Sequence, residues 1–332
     1  MSIFDQPLIS IGIQADKIRR NLWGKDTFYV KNLHINYTNI CLNRCKFCVF
    51  SRRTGDPDGY LMSSEDILNN VRIHGKETKE LHIVGGLHPD IKLDYYTEML
   101  SALKSEFPDK ALKAFSAVEA EFMARQSGLP PEKLFSRLKA AGLDSMPGGG
   151  AEIFDEKVRN IICPEKISGA KWLEIMETAH DSGIKTNATM LYGHFESSMD
   201  RENHLLLIRK LQERTGGFNA FIPLAFQPYG TVFDSNSPAT AVDDLYVTAA
   251  ARIILDNVPH IKAYWVMMGE KTAQIALHFG ADDLDGTIVQ ENIAYAAGAK
   301  SKRGMTETEL RHLITTAGLN PVERDSFYIK VA

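Results

Sequence analysis

Apolar and polar positions alternate along this chain with two periods, and the two periods take turns. Leu33-His34-Ile35-Asn36-Tyr37-Thr38 repeats every second residue, as a half-buried strand does. Ile67, Leu68 and Val71 then fall on one side of a helix, which Ser63-x-x-Asp66 opens as an approximate capping box. The exchange recurs. Strand patterns cover 81–84, 112–118, 143–146, 186–191, 218–226, 261–266 and 281–284. Helical patterns lie near 95–107, from Pro131, and over 171–180, 201–214, 243–255 and 271–279. Eight strand–helix units in about 250 residues predict an α/β fold, a (β/α)8 TIM-type barrel. The barrel is expected over 31–299, after a lead-in over 1–30 with helical spacing at 13–22. An extension over 300–332 follows, with a helix capped by Thr306-x-x-Glu309 and a strand or edge at 327–331.

In such barrels chemistry gathers where the strands end. The unusual residues fall at those ends. Cys41, Cys45 and Cys48 follow the first strand, and Gly85-Gly86 the second. Glu119 ends the third, and Gly148-Gly149-Gly150 with Glu152 follows the fourth. Tyr192-Gly193-His194-x-Glu196 follows the fifth, and Gln227 and Pro228 the sixth. Trp265 belongs to the seventh, and Asp282, Asp283 and Asp285 surround the eighth.

Three of four cysteines stand in eight residues as C-x3-C-x2-C. Three thiolates that close suit one soft-metal centre and leave it an open position for a ligand. A zinc site completed by His34 or His88 is the alternative. Cys163 lies far off and reads as a packed small hydrophobe. A single pair of glycines can be a plain turn, but three in a row fit a ligand approaching the backbone closely. Asn187 and Thr189 share one strand face, so polar groups there need partners, from a bound ligand or from each other. His194, Glu196 and His88 are candidates for proton handling, against a local structural role for each. Arg53, Arg201 and Arg324 read as surface charges or anion partners, and Glu121 replaces Glu119 if the strand register is off by two.

Bulk properties narrow the field. The 332 residues carry 44% apolar and 24% charged side chains and a net charge of −4. That is ordinary globular composition, with no basic surface for nucleic acid or anionic membrane. No apolar run approaches the length of a membrane span, and 1–16 does not read as a secretory signal. Clustered cysteines argue for a reducing compartment, the cytoplasm.

The C-x3-C-x-aromatic-C loop after a strand resembles the signature of the radical S-adenosylmethionine (SAM) enzymes. The resemblance implies that Cys41, Cys45 and Cys48 hold a [4Fe–4S] cluster whose open iron binds SAM. Reductive cleavage then yields a 5′-deoxyadenosyl radical. Phe47 would lie by the adenine, Gly85 and Gly86 by the methionine amino group, and Ser116 and Glu119 by the ribose. Leu87 stands where many members carry Glu, which leaves only a backbone role there.

Five further stretches, 85–89, 147–152, 186–194, 221–226 and 280–286, resemble the menaquinone/deazaflavin branch, most of all its aminofutalosine synthases. That implies addition of the radical to a small aromatic enol ether, 3-[(1-carboxyvinyl)oxy]benzoate, with SAM consumed and an electron donor such as flavodoxin or ferredoxin. Asn187 and Thr189 would face SAM. Gly149, Gly150, Glu152, Tyr192, Trp265 and Asp283 would face the substrate. The sister cyclase, the deazaflavin synthase subunit and a non-enzymatic electron carrier are the alternatives.

Overall fold

A computed structural model describes residues 2–331. Helix α1 (Leu8–Trp23) leads into strands β1 (Asp26–Val30) and β2 (Asn32–Ile35). After the cysteine loop come α2 (Ser64–His74), β3 (Glu80–Ile83), α3 (Leu93–Glu106), β4 (Ala111–Ala114), α4 (Ala117–Ser127) and α5 (Pro131–Ala140). Then follow β5 (Ser145–Met146), α6 (Glu156–Ile162), α7 (Gly169–Asp181), β6 (Lys185–Tyr192), α8 (Ser198–Thr215), β7 (Phe218–Ala225) and α9 (Ala241–Ile254). The chain closes with β8 (His260–Ile261), α10 (Trp265–Met268), α11 (Glu270–Ala276), β9 (Asp283–Gly286), α12 (Ile293–Ala296), α13 (Glu307–Thr316) and β10 (Asn320–Glu323).

Strands β2 to β8 form one parallel sheet in sequence order, curled with helices outside, which is the expected α/β barrel architecture. Strand β9 stands in the remaining gap. A bridge from Asp283 reaches Lys262 beyond β8, and one from Val289 reaches Leu33 in β2. Strand β7 continues past its pairing with β8, which stops at Phe221. Pro223, which lacks an N–H, therefore costs no ladder bond on that side.

Four expectations shift. The third strand ends at Ala114, because Ser116 caps α4 in a capping box with Glu119, so Val118 and Glu119 are helical. The seventh strand stops at Ile261, and Trp265 opens a short helix instead. The eighth lies two residues later than expected. The C-terminal strand is Asn320–Glu323, not 327–331, and it pairs in parallel with β1, a strand inside the expected lead-in. Pro321 hid it, yet proline is tolerated there because β10 is a sheet edge.

Lead-in and tail together seal the base of the barrel. Arg324, fully buried, donates to Asp283 at 2.6 Å and lies over the Tyr328 ring. Ser326 donates to Glu80 at 2.7 Å, and Lys113 also donates to Glu80. Burial alone would raise Glu80, but Lys113, Lys262 and Arg324 outweigh it and hold the carboxyl well below its usual range. Tyr328 stacks on His260 at 3.6 Å, and Asp282 accepts from His260 and Arg252.

Candidate active site

The opposite end of the barrel is open. A cavity of about 340 Å³ lies there, among the strand C-termini and the loops that follow them. That is the size and place of a small-molecule site. Cys41, Cys45 and Cys48 line it, none of them in a disulfide. The Cys48 N–H bonds the Cys45 carbonyl, and the Cys41 N–H bonds Arg52 O at 3.0 Å. Two ties hold the loop to residues 162–166: Lys46 N–H to Ile162 O at 2.8 Å, and Arg44 N–H to the Glu165 carboxylate. Among the described residues, no three His, Cys, Asp or Glu side chains converge as ligands of one ion. Three free cysteine thiols lining one cavity are a donor set that would suit a soft metal centre. Burial pushes Cys45 up to about 12, against the pull of Lys166, so a metal centre held there would have to displace that proton.

The glycines after β3 have a packing reason. A Cβ on Gly85 would meet the Tyr37 ring at 2.6 Å, and one on Gly86 would meet Ile40 O at 2.2 Å. Bare backbone is what lets this turn lie against the cysteine loop. Glu119 pins it. Its Oε1 accepts from the Tyr37 hydroxyl at 2.8 Å and from Gly85 N–H at 3.0 Å. Its Oε2 accepts from Ser116 N–H at 2.7 Å and from the Ser116 hydroxyl at 2.6 Å. A carboxylate has about four lone-pair sites. All four are taken within the protein, so Glu119 holds the turn and the α4 cap together while it lines the cavity. Ser116 lines the cavity beside it.

In the triple-glycine turn, Gly148 and Gly150 have φ of +85° and +88°. A Cβ on Gly148 would strike Asn187 O at 2.3 Å. Gly149 differs: nothing lies closer than 3.8 Å to its would-be Cβ, and it lines the cavity. Glu152 sits at φ +49°, a left-handed conformation rare for this residue type. It binds Lys166 at 2.6 Å, and the Lys166 ammonium lies 5.2 Å over the Phe47 ring. This pair and Phe47 form the cavity wall behind Cys45.

Several expected site residues stand behind the wall. Tyr192 is buried with its hydroxyl on Asp244 at 2.6 Å, while Leu191 faces the cavity. Trp265 is fully buried and donates to Gly286 O, while Tyr264 faces the cavity. Asp283 is held by Arg324 at the base, while Asp285 faces the cavity. Each shift is one or two residues; for Tyr192 and Asp283 that is the step that exchanges faces or layers of a strand. Asn187 is buried below the cavity, and Thr189 lines it with its hydroxyl on Gly148 O.

The three proton-handling candidates are also locally engaged. His88 accepts from Asp90 N–H at 3.2 Å. His194 Nε2 meets Leu191 O at 2.9 Å. Glu196 accepts from Gly193 N–H, His194 N–H and Arg201, fixing the turn after β6. Burial would raise Glu196, but His194, Arg201 and the Gly193 N–H bring it down to about 2. None of the three lines the cavity. The reading of single residues weighed His34 only as a zinc ligand and missed His82, Lys166, Phe226 and Glu291, all of which line it. Inward alternation of 34 with 36 and of 82 with 84 was the available signal.

Comparison with known proteins agrees with this geometry. The Radical SAM superfamily model matches residues 35–208, and the CofH/MqnC C-terminal region model matches 215–331. An aminodeoxyfutalosine synthase of Thermus thermophilus is 42% identical, over 96% of this chain and 87% of its own length. A 5-amino-6-(D-ribitylamino)uracil–L-tyrosine 4-hydroxyphenyl transferase of Archaeoglobus fulgidus is 44% identical, over 95% and 91%. A cyclic dehypoxanthine futalosine synthase of Streptomyces coelicolor is 40% identical, over 98% and 82%. Among solved structures, methylornithine synthase superposes with a TM-score of 0.77 at 15% identity, over 96% of this chain and 91% of that one, a likeness of fold. A cysteine loop on the first strand of the barrel, facing a cavity at the strand ends, is thus accounted for by descent: the chain belongs to the radical SAM superfamily.

Proposed function

We propose that this enzyme adds a 5′-deoxyadenosyl radical to the double bond of an aryl enol ether, 3-[(1-carboxyvinyl)oxy]benzoate, as an aminofutalosine synthase. Cys41, Cys45 and Cys48 would hold a [4Fe–4S] cluster, which with an electron from a small carrier protein such as flavodoxin or ferredoxin supplies the radical from SAM. The turn at Gly85-Gly86, held by Glu119, would present backbone groups to SAM. Gly149 and Thr189 line the space where the adenosyl group and substrate must meet.

The observation that carries the reading is the wall facing the cysteine loop. Leu191, Ile222, Leu224, Phe226 and Met267 make it apolar. Such a wall suits a flat aryl group and excludes water and stray hydrogen donors from a radical. Protein groups there would do little to meet the hydroxyls of a polyol. The chain's part is to hold the alkene at reacting distance and in line. Adduct formation also needs no acid or base at the reacting carbon, in keeping with the local engagement of His88, His194 and Glu196.

The 44% identity to a 4-hydroxyphenyl transferase favours a second reading, in which tyrosine is the radical's target. One experiment separates them. Protein reconstituted without oxygen receives SAM, reductant and either the enol ether or tyrosine with the ribitylaminouracil. The synthase reading expects a product carrying the whole adenosyl group from the first mixture and no turnover of the second. The reverse outcome rejects it.

A further inference from the structure

At the floor of the cavity two imidazoles lie face to face. His34 and His82 are register partners on β2 and β3, and their rings stack at 4.3 Å, 10° from parallel. Both line the cavity. His34 is 6% exposed, and its Nε2 has no hydrogen-bond partner. A buried polar atom left without a partner is costly, so such atoms in native proteins need a reason. Its neighbours do not provide one. Asp285 is engaged by Lys262 at 2.7 Å, with Arg324 at 3.9 Å, and Glu80 by Lys113.

The ionic state of the floor limits what it can bind. Burial holds His34 at about 4 and His82 well below its ordinary value, so both are neutral rings, each able to donate from one nitrogen. Burial also keeps the Tyr264 phenol protonated. Tyr264 lines the floor and shares Asp285 as a neighbour with His34. Asp285 is neutralised by Lys262 and Arg324, and the second carboxyl beside Tyr264, Glu291, is held by the Ile293 and Ala294 N–H groups and pushed up by burial, so neither bars an incoming anion. The floor therefore offers N–H and O–H donors in a dry pocket, a setting in which a carboxylate is a strong acceptor.

We propose that His34, stacked on His82 and helped by Tyr264, forms a subsite for the ring carboxylate of the substrate. This rests on the aryl enol ether reading. With the alkene end at the cysteine loop, the meta-carboxylate of the benzoate is the group that reaches the floor. The subsite fixes the depth of the ring and so the position of the alkene. It makes His34 a specificity residue for carboxylate-bearing aryl ethers.

The test compares two enol ethers on the cluster-loaded protein: the benzoate substrate, and the same phenyl ether without the ring carboxylate. His34→Phe keeps a stacking ring and removes both nitrogens. Losing a hydrogen bond to a charged group should raise KM for the benzoate by about 10- to 100-fold. KM for the carboxylate-free ether should stay within twofold. Tyr264→Phe, which removes only a hydroxyl, should cut the same preference less and stands in if His34→Phe does not fold. Calorimetric binding of 3-methoxybenzoate against methoxybenzene, with SAM bound, reads the same preference without turnover. If wild type converts the benzoate and both variants keep its preference, the subsite is overturned. If wild type converts neither enol ether, the underlying reaction is overturned instead, and the subsite loses its ligand with it.

Discussion

The two ends of this barrel solve opposite problems with similar residues. At the base, Glu80, Asp282, Asp283 and Arg324 are buried, and their charges are matched by Lys113, Arg252 and His260 or by one another. Lead-in and tail supply part of the seal, through β1, β10, Ser326 and Tyr328. At the mouth, three thiols stand free, Gly149 has open space beside it, and His34 keeps an unpartnered nitrogen. Buried charge matched by opposite charge gives a rigid plug with little binding energy to offer. Polar groups left unpaired around a cavity weaken the fold and can be repaid by a ligand. Polarity alone therefore does not mark the working end; open space beside it does, since Glu80 Oε1 and Arg324 Nη2 at the base also lack a hydrogen-bond partner but do not line the cavity.

Changes at the two ends should separate function from folding. Cys45→Ala at the mouth is expected to abolish cluster assembly, with iron content and 5′-deoxyadenosine formation at background and the thermal midpoint of the cluster-free protein little changed. Arg324→Ala at the base should do the reverse. It strands the Asp283 charge, costs about 3–5 kcal/mol, and lowers the urea midpoint while the folded fraction still takes up iron.

Glu196 tests a fixed turn at the mouth's rim. Its folded value near 2 lies below the ordinary 4.5. Its contribution is thus present above pH 4.5 and lost as pH falls from there towards 2, by about 2–3 kcal/mol in all. Thermal midpoints of wild type and Glu196→Gln should converge over that window. Glu119→Gln is the mildest change. It places an amide donor against Ser116 or Gly85, and should weaken SAM binding to the reconstituted protein about 10-fold, read by equilibrium dialysis.

The alternation of periods made the barrel legible, and the cysteine spacing made its centre legible. What stayed hidden has local causes. The Ala117-Val118 pair looked like the end of a strand, although Ser116-x-x-Glu119 is the same opening signal that Ser63 and Thr306 give. Strand β8 has only two residues, so Trp265 could not be told from a strand residue by period. Asp283 and Asp285 point the same way on paper, and only the close Arg324 bond to Asp283, against Lys262 and the cavity for Asp285, separates them. His34 and His82 are ordinary strand positions until two neighbouring strands pair in register and stack them.

The fate of the adenosyl carbon tests the central claim most directly. SAM labelled at C5′ is given to the anaerobically reconstituted protein with 3-[(1-carboxyvinyl)oxy]benzoate and reductant, and the products are weighed by mass spectrometry. Label incorporated in the aromatic product, with methionine released in equal amount, is expected. Label found only in 5′-deoxyadenosine would show that the radical takes a hydrogen atom rather than adding to the alkene, and would contradict the account.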